Sequence, residues 1–195
     1  MPPELALVAV GGYGRDELYP HSDIDLLILL PQQPDAPLQQ RLQELVGILW
    51  DIGLEVGHSI RTVGDCMSES SDVTVQTNLL ETRLITGDLA LFQEMCEALS
   101  NHLSRRAFYL AKVQEQENRH ARFVDTDFNL EPNLKESPGG LRDLQNVLWI
   151  ARASGFGGTL PKLAEAGLIT VQEARRIGRF EAFLQVLRIR LHYIA

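Results

Sequence analysis

Val10-Gly11-Gly12-Tyr13-Gly14-Arg15-Asp16-Glu17-Leu18-Tyr19-Pro20-His21-Ser22-Asp23-Ile24-Asp25-Leu26 joins two apolar runs through a polar, glycine-rich connection. On its N-terminal side Leu5–Val10 is apolar and ends at Gly11-Gly12, which predicts a strand. On its C-terminal side Ile24–Leu30 is interrupted only by Asp25 and stops at Pro31, which predicts a second, buried strand. The connection itself has loop composition, with room for one helical turn. Side chains two apart on a strand share a face, so Asp23 and Asp25 are expected to project side by side. Two carboxylates that close repel each other and call for a neutralising partner. Mg²⁺ suits them, because hard cations take carboxylate oxygens. A metal pair roughly 3.5–4 Å apart could clamp the attacking and leaving oxygens of a phosphoryl transfer. Glycine after a strand lets backbone approach a ligand and turn N–H groups toward phosphate, and Ser22 adds a hydroxyl. Gly11, Gly12, Ser22, Asp23 and Asp25 therefore form a candidate triphosphate-plus-metal site. The competing reading, a tight turn carrying two surface aspartates, accounts less well for a motif set between two apolar strands.

Three other motifs are excluded. Gly12-Tyr13-Gly14-Arg15-Asp16-Glu17 begins like a dinucleotide fingerprint, but Glu17 stands where the third glycine belongs. No phosphate-binding loop of the Gly-x-x-x-x-Gly-Lys-Ser/Thr type occurs. The residues after Asp25 are apolar, so the aspartates do not open a calcium loop.

Outward from this core, Leu38, Leu42, Leu45, Leu49 and Ile52 recur at helical spacing and predict an amphipathic helix over 37–52, ended by Gly53. Leu54–Thr62 predicts a third strand. Strand, strand, helix, strand indicates a small α/β lobe over residues 1–75. From residue 76 the pattern is helical. Phe92, Met95, Leu99 and Leu103 share a face, a further helix is expected over 104–122, and a Pro/Gly/Asn-rich loop over 127–140. Ser137-Pro138 predicts the start of the next helix, and Ile177, Phe180, Leu184, Leu187 and Leu191 mark the last. That helix carries no stop signal, and the expectation is a chain cut from something longer. Trp50, Trp149, Phe180 and Phe183 lie on helical faces and are expected in the core rather than as nucleobase platforms. His21 is expected as an exposed or turn-packing residue.

The 195 residues, 45% of them hydrophobic and 23% charged, fit a soluble globular chain rather than a disordered or fibrous one. No apolar run nears the ~18 residues of a membrane span, and no secretory signal is visible. Cys66 and Cys96 stand in no ligand spacing, which predicts a reducing, cytoplasmic setting without disulfides. The net charge of −8 is uneven. Residues 1–100 hold four arginines and no lysine against sixteen acids, net −12; residues 101–195 hold fourteen cations against ten acids, net +4. The acidic half argues against a nucleic-acid partner.

The glycine pair, the spacer and Asp23-Ile24-Asp25-Leu26 resemble the signature of the nucleotidyltransferase superfamily that shares the DNA polymerase beta palm. Three further blocks resemble one branch of it, the bifunctional uridylyltransferase/uridylyl-removing enzymes acting on the signalling protein PII. They are Trp50–Thr62, Gln76–Glu81 and Asn129–Asp143. The resemblance implies an α+β fold: a polymerase-beta-like palm with a small mixed sheet and helices, then a helical region over 76–195. It implies Mg²⁺-dependent transfer of UMP from UTP to a tyrosine of PII with release of pyrophosphate. Asp23 and Asp25 would be catalytic metal ligands, and Gly11, Gly12 and Ser22 would cradle the triphosphate. Lys135 and Arg142 are candidates for further phosphate or acceptor contacts, against the alternative of an ion-paired loop. The superfamily's third carboxylate falls at Gly57; Glu55 and Asp143 are the substitutes, and the base is left open. The His-Asp pair of the uridylyl-removing domain does not occur here, so that activity is not expected. Alternatives are adenylyl transfer to another protein, and a module that binds nucleotide or partner without turnover.

Overall fold

The computed structural model describes residues 4–124 and 133–194, so Asn129–Pro132 and the start of the predicted 127–140 loop lie outside the described residues. The chain divides into two compact units, residues 1–102 and 103–195.

The first unit is built on a sheet of order β3-β2-β1-β4. β1 (Ala6–Ala9) and β2 (Ile24–Leu30) are the two expected apolar strands and pair antiparallel. Between them α1 (Gly11–Gly14) is a single helical turn. α2 (Ala36–Asp51) is capped by Asp35, whose side chain accepts from the Leu38 N–H, and Gly53 leaves it at φ +84°. β3 (Val56–Thr62) then pairs parallel with β2. Thr62 ends β3 and caps α3 (Val63–Glu69) in a reciprocal box with Asp65. α4 (Val73–Leu80) is capped by Asp72. A short strand that the hydrophobic pattern does not announce, β4 (Arg83–Gly87), pairs antiparallel with β1. α5 (Leu89–His102) buries Leu91, Met95 and Leu99, the expected face shifted slightly. The helical region expected from residue 76 thus begins inside the first unit, whose sheet is completed by β4.

Strand alternation sorts the core into two layers. Leu27 and Leu29 join Ala6, Val8, Cys66 and Met95 beneath α3, α4 and α5. Ile28 and Leu30 join Leu5 and Leu42 beneath α2. Full burial of each leucine, isoleucine, valine or methionine among them contributes about 1.5–3 kcal/mol. Cys66 and Cys96 are free thiols, and burial pushes the Cys66 thiol up to about 11.

The second unit comprises α6 (Arg105–Val124), α7 (Leu141–Ala153), α8 (Leu160–Glu165) and α9 (Val171–Ile194). Asn146 of α7 donates to the Lys112 carbonyl and to Gln116 Oε1 of α6, at 3.2 and 3.0 Å. Trp149 is buried with the Lys112 ammonium 4.2 Å from its ring centre. Of the four aromatics expected in the core, Trp149 alone is buried. Trp50, Phe180 and Phe183 are 54%, 57% and 60% exposed, because their helices leave those faces uncovered by described residues of their own units. α7 begins at Leu141 with Gly140 as N-cap, not at Ser137. Ser137 instead donates its hydroxyl to the Asn133 carbonyl at 2.5 Å, inside a turn that precedes the helix. No helix of the described residues is long and apolar enough to cross a membrane.

Candidate active site

β1 delivers the chain to Gly11, which turns at φ +57°, a left-handed conformation that favours glycine. Val10 N–H donates to the Asp25 carbonyl at 3.1 Å, so this turn is pinned to the start of β2. A Cβ on Gly11 would lie 3.2 Å from Asp25 Oδ2. Asp25 is also the register partner of Gly57 on β3. A Cβ on Gly57 would lie 2.6 Å from Asp25 Oδ1, closer than side chains tolerate. Two glycines, one at the start of α1 and one on β3, thus leave room beside the two oxygens of one carboxylate. The same geometry explains why position 57 supplies no third carboxylate, since any side chain there meets Asp25 first.

The remaining predicted residues fall around this point. Asp23 is exposed and lies one residue before β2, not within it, although Ile24 N–H already bonds the Glu55 carbonyl at 2.8 Å. Glu55 is exposed and just outside β3. Ser22 closes a turn: its N–H donates to the Tyr19 carbonyl and its Oγ accepts from Tyr19 N–H, at 3.0 and 3.3 Å. Its own O–H proton is not used in that turn. His21 sits exposed at φ +60° in the same turn. Gly12 lies with its α-carbon face near the Glu17 carbonyl, 3.3 Å from a built Cβ.

The connection is fastened from below. A Cβ on Gly14 would overlap the Glu81 carbonyl oxygen at the end of α4. The Arg15 guanidinium pairs with the buried Glu81 carboxylate and, at 2.9 Å, with Glu17. Burial works against the Arg15 charge, but Glu81 and Glu17 outweigh it and raise its pKa. Arg83 of β4 donates to the Tyr13 carbonyl at 3.0 Å, pairs with Asp16 at 2.8 Å and lies over the Tyr13 ring. Neither the Glu81 nor the Arg83 tether was legible beforehand, although Glu81 ends one of the quoted blocks.

Beside Asp25 opens a cleft of about 270 Å³. Gly57, Ser59 and Arg61 of β3 and Asn78 of α4 line it with Asp25. Among the described residues no group of three or more His, Cys, Asp or Glu is placed to hold a metal. Asp25 and Asp23 offer hard oxygen donors, and the space cleared by Gly11 and Gly57 suits an ion at Asp25 whose other ligands come from phosphate or water.

In the second unit Arg142 is ion-paired with Glu136. Its guanidinium donates to Glu136 Oε1 at 3.0 and 3.2 Å and to Gln145 at 3.1 Å, and lies 5.2 Å from the centre of the Trp149 ring. Lys135 contributes its backbone: its carbonyl accepts from Arg142 N–H at 2.8 Å. Asp143 bonds Arg119 at 2.5 Å, His120 at 2.9 Å and the Gly139 N–H at 2.7 Å. Partial burial would raise its pKa, but these bonds prevail and lower it.

Comparison with known proteins assigns both units. Residues 2–84 match the family model described as a nucleotidyltransferase domain, and residues 107–195 the one described as GlnD PII-uridylyltransferase. Together the two account for most of the chain. Along its whole length the chain is similar to members of the PII-uridylyltransferase family. Curated members from Burkholderia orbicola (strain AU 1054) and Burkholderia pseudomallei (strain K96243), each described as a bifunctional uridylyltransferase/uridylyl-removing enzyme, are 57% identical over the whole chain. The chain spans 23% of the length of these relatives. A solved structure described as a toxin–antitoxin with AMP-PNP overlaps 63% of this chain and 86% of its own, at 14% identity and a TM-score of 0.33. The nucleotidyltransferase match falls on the unit that holds Asp25 and its two glycines. The PII-uridylyltransferase match falls on the unit that holds Arg142 and Asp143.

Proposed function

We propose that the first unit transfers UMP from UTP to a tyrosine hydroxyl of a PII-type protein, in a cytoplasmic setting, releasing pyrophosphate. The observation that carries this is Asp25, with the room left beside its carboxylate by Gly11 and Gly57 at the edge of a cleft of about 270 Å³. Asp25 and Asp23 would hold Mg²⁺, which when bound neutralises charge on the phosphate oxygens. Gly11 and Gly12 bring backbone close to the triphosphate, and the Ser22 hydroxyl is available to donate to it. The tyrosine oxygen forms a bond to the α-phosphorus as the bond to the pyrophosphate oxygen breaks, a step governed by positioning and electrostatics. The tyrosine proton needs an acceptor. Gly57 has no side chain and Asp143 is engaged by Arg119 and His120, so Glu55 is the base in this reading. Lys135 and Arg142 are the further candidates for phosphate or acceptor contacts, and Lys135→Ala and Arg142→Ala in the assay below test them.

The test is the intact mass of PII after incubation with the chain, Mg²⁺ and either UTP or ATP. A gain of one UMP that depends on Asp23 and Asp25 is the expected result. A gain of AMP instead would establish the adenylyl alternative. Gly57, which puts no carboxylate at the superfamily's third position, favours one other reading, a module that binds nucleotide without turnover. Calorimetric binding of UTP with no product would select it.

A further inference from the structure

β3 gives the cleft more than the gap at Gly57. In the parallel register Asp25, Leu27 and Leu29 stand beside Gly57, Ser59 and Arg61. Leu27 and Leu29 face the core beneath α3–α5, so alternation sends Ser59 and Arg61 to that same face. Both line the cleft, as does Asn78 from α4. Gly57 to Arg61 is four residues, roughly 13 Å at the rise of a strand. The cleft therefore leads from the carboxylate to a guanidinium over about the length of one nucleoside.

The polar groups along it are committed unequally. Arg61 is anchored by Glu69 of α3 at 2.5 Å, which fixes the guanidinium and leaves further N–H donors. The Ser59 hydroxyl is half-buried and the Asn78 amide exposed, and neither side chain has a partner among the described residues. None of the three is needed to hold the glycine-rich connection. At about 270 Å³ the space lies near the lower end of ligand pockets, roughly 300–1,000 Å³, which favours a pyrimidine over a purine.

We propose that this cleft is the nucleoside subsite, in which Arg61, positioned by Glu69, selects a pyrimidine with a keto oxygen at C4. Ser59 and Asn78 hold the sugar beside it. The inference rests on the nucleotidyl-transfer reading above and adds the residues that choose the nucleotide. A keto oxygen accepts from Arg61, whereas the amino group of cytosine sets donor against donor. A site built to hydrogen-bond a group discriminates strongly against an analogue lacking it.

Calorimetry with Mg²⁺ and three probes tests this: UTP, CTP and inorganic triphosphate. UTP and CTP share sugar and phosphates, and triphosphate has no base. The wild-type chain is expected to bind UTP about tenfold or more tighter than CTP, the equivalent of ~1.4 kcal/mol. Arg61→Gln should bring the two within about threefold and leave triphosphate unchanged. Asn78→Ala, at an exposed and unpartnered side chain, should fold normally, weaken UTP and CTP alike and spare triphosphate. It keeps the proposal testable should Arg61→Gln fail to fold. Unchanged UTP binding in Asn78→Ala and in any folded Arg61→Gln would overturn the subsite, as would an equal loss of triphosphate. A wild-type chain that binds neither UTP nor triphosphate would instead refute the transfer reading on which the subsite depends.

Discussion

In the proposed reaction the chemistry turns on Asp25, and its surroundings make separable predictions. Asp25→Asn or Asp23→Asn should lower transfer to PII by at least ~10³-fold, as loss of a metal-holding carboxylate would. Melting temperature should hold or rise, since like-charge repulsion is relieved. Near-wild-type transfer by either variant, read by intact mass, would refute the metal assignment. Gly57→Ala places its methyl 2.6 Å from Asp25 Oδ1. Its backbone needs no left-handed φ, so the strand should tolerate alanine while transfer falls roughly 10²-fold, the scale of a 1 Å misplacement. Asp25 and Gly11 were legible because the motif that carries them is local. Gly57 was singled out by resemblance, but its approach to Asp25 was not legible, nor were Ser59 and Arg61, because what they face depends on the β2–β3 register. That pairing joins segments about thirty residues apart, which no local pattern encodes.

At the scale of elements, the glycine-rich connection is held by what lies under it. Glu81→Ala would remove the buried partner of Arg15, and should cost about 1–3 kcal/mol of stability. Chemical denaturation of the variant measures this, and an unchanged midpoint would remove the tether from the account. In the second unit, Asp143 ties α7 to Arg119 and His120. Its pKa in the fold is below the ordinary 3.8. Its contribution is therefore fully present above that value and is lost as pH falls through the lower, folded one. Asp143→Asn should melt lower than wild type at pH 7, with the gap narrowing below about pH 4; a gap constant with pH would contradict this. β1, β2 and α2 were readable because buried strands and a one-sided helix write their periods into sequence. β4 was not. Its five residues include exposed Ile85 and Gly87, and it is held by pairing with β1. The start of α7 was misread because Ser137 makes a turn bond to Asn133 that competes with capping.

For the molecule as a whole, the uneven charge follows the division into units. The break between units adds only Asn101 and His102 to the acidic hundred, so the first unit carries about −12 and the second +4. A nucleoside triphosphate is itself an anion, and an acidic unit repels it unless a cation intervenes. UTP binding should therefore disappear when EDTA replaces Mg²⁺, and return with added metal. Binding that persists in EDTA, followed by calorimetry, would mean the cationic side chains suffice alone. This imbalance could be counted from the composition. Its assignment to a unit could not, because the unit boundary follows β4 and α5 rather than the change in hydrophobic pattern near residue 75.

Position 57 has a consequence for inheritance. Every single-base change in a glycine codon that alters the residue to another amino acid adds at least a β-carbon, or more. In a lineage under selection for the reaction, this site therefore has no neutral neighbours, even though the strand that carries it would fold with several of them. Mutations here should surface as stable, abundant and inert protein, invisible to quality control and costly only through the proposed transfer it fails to deliver.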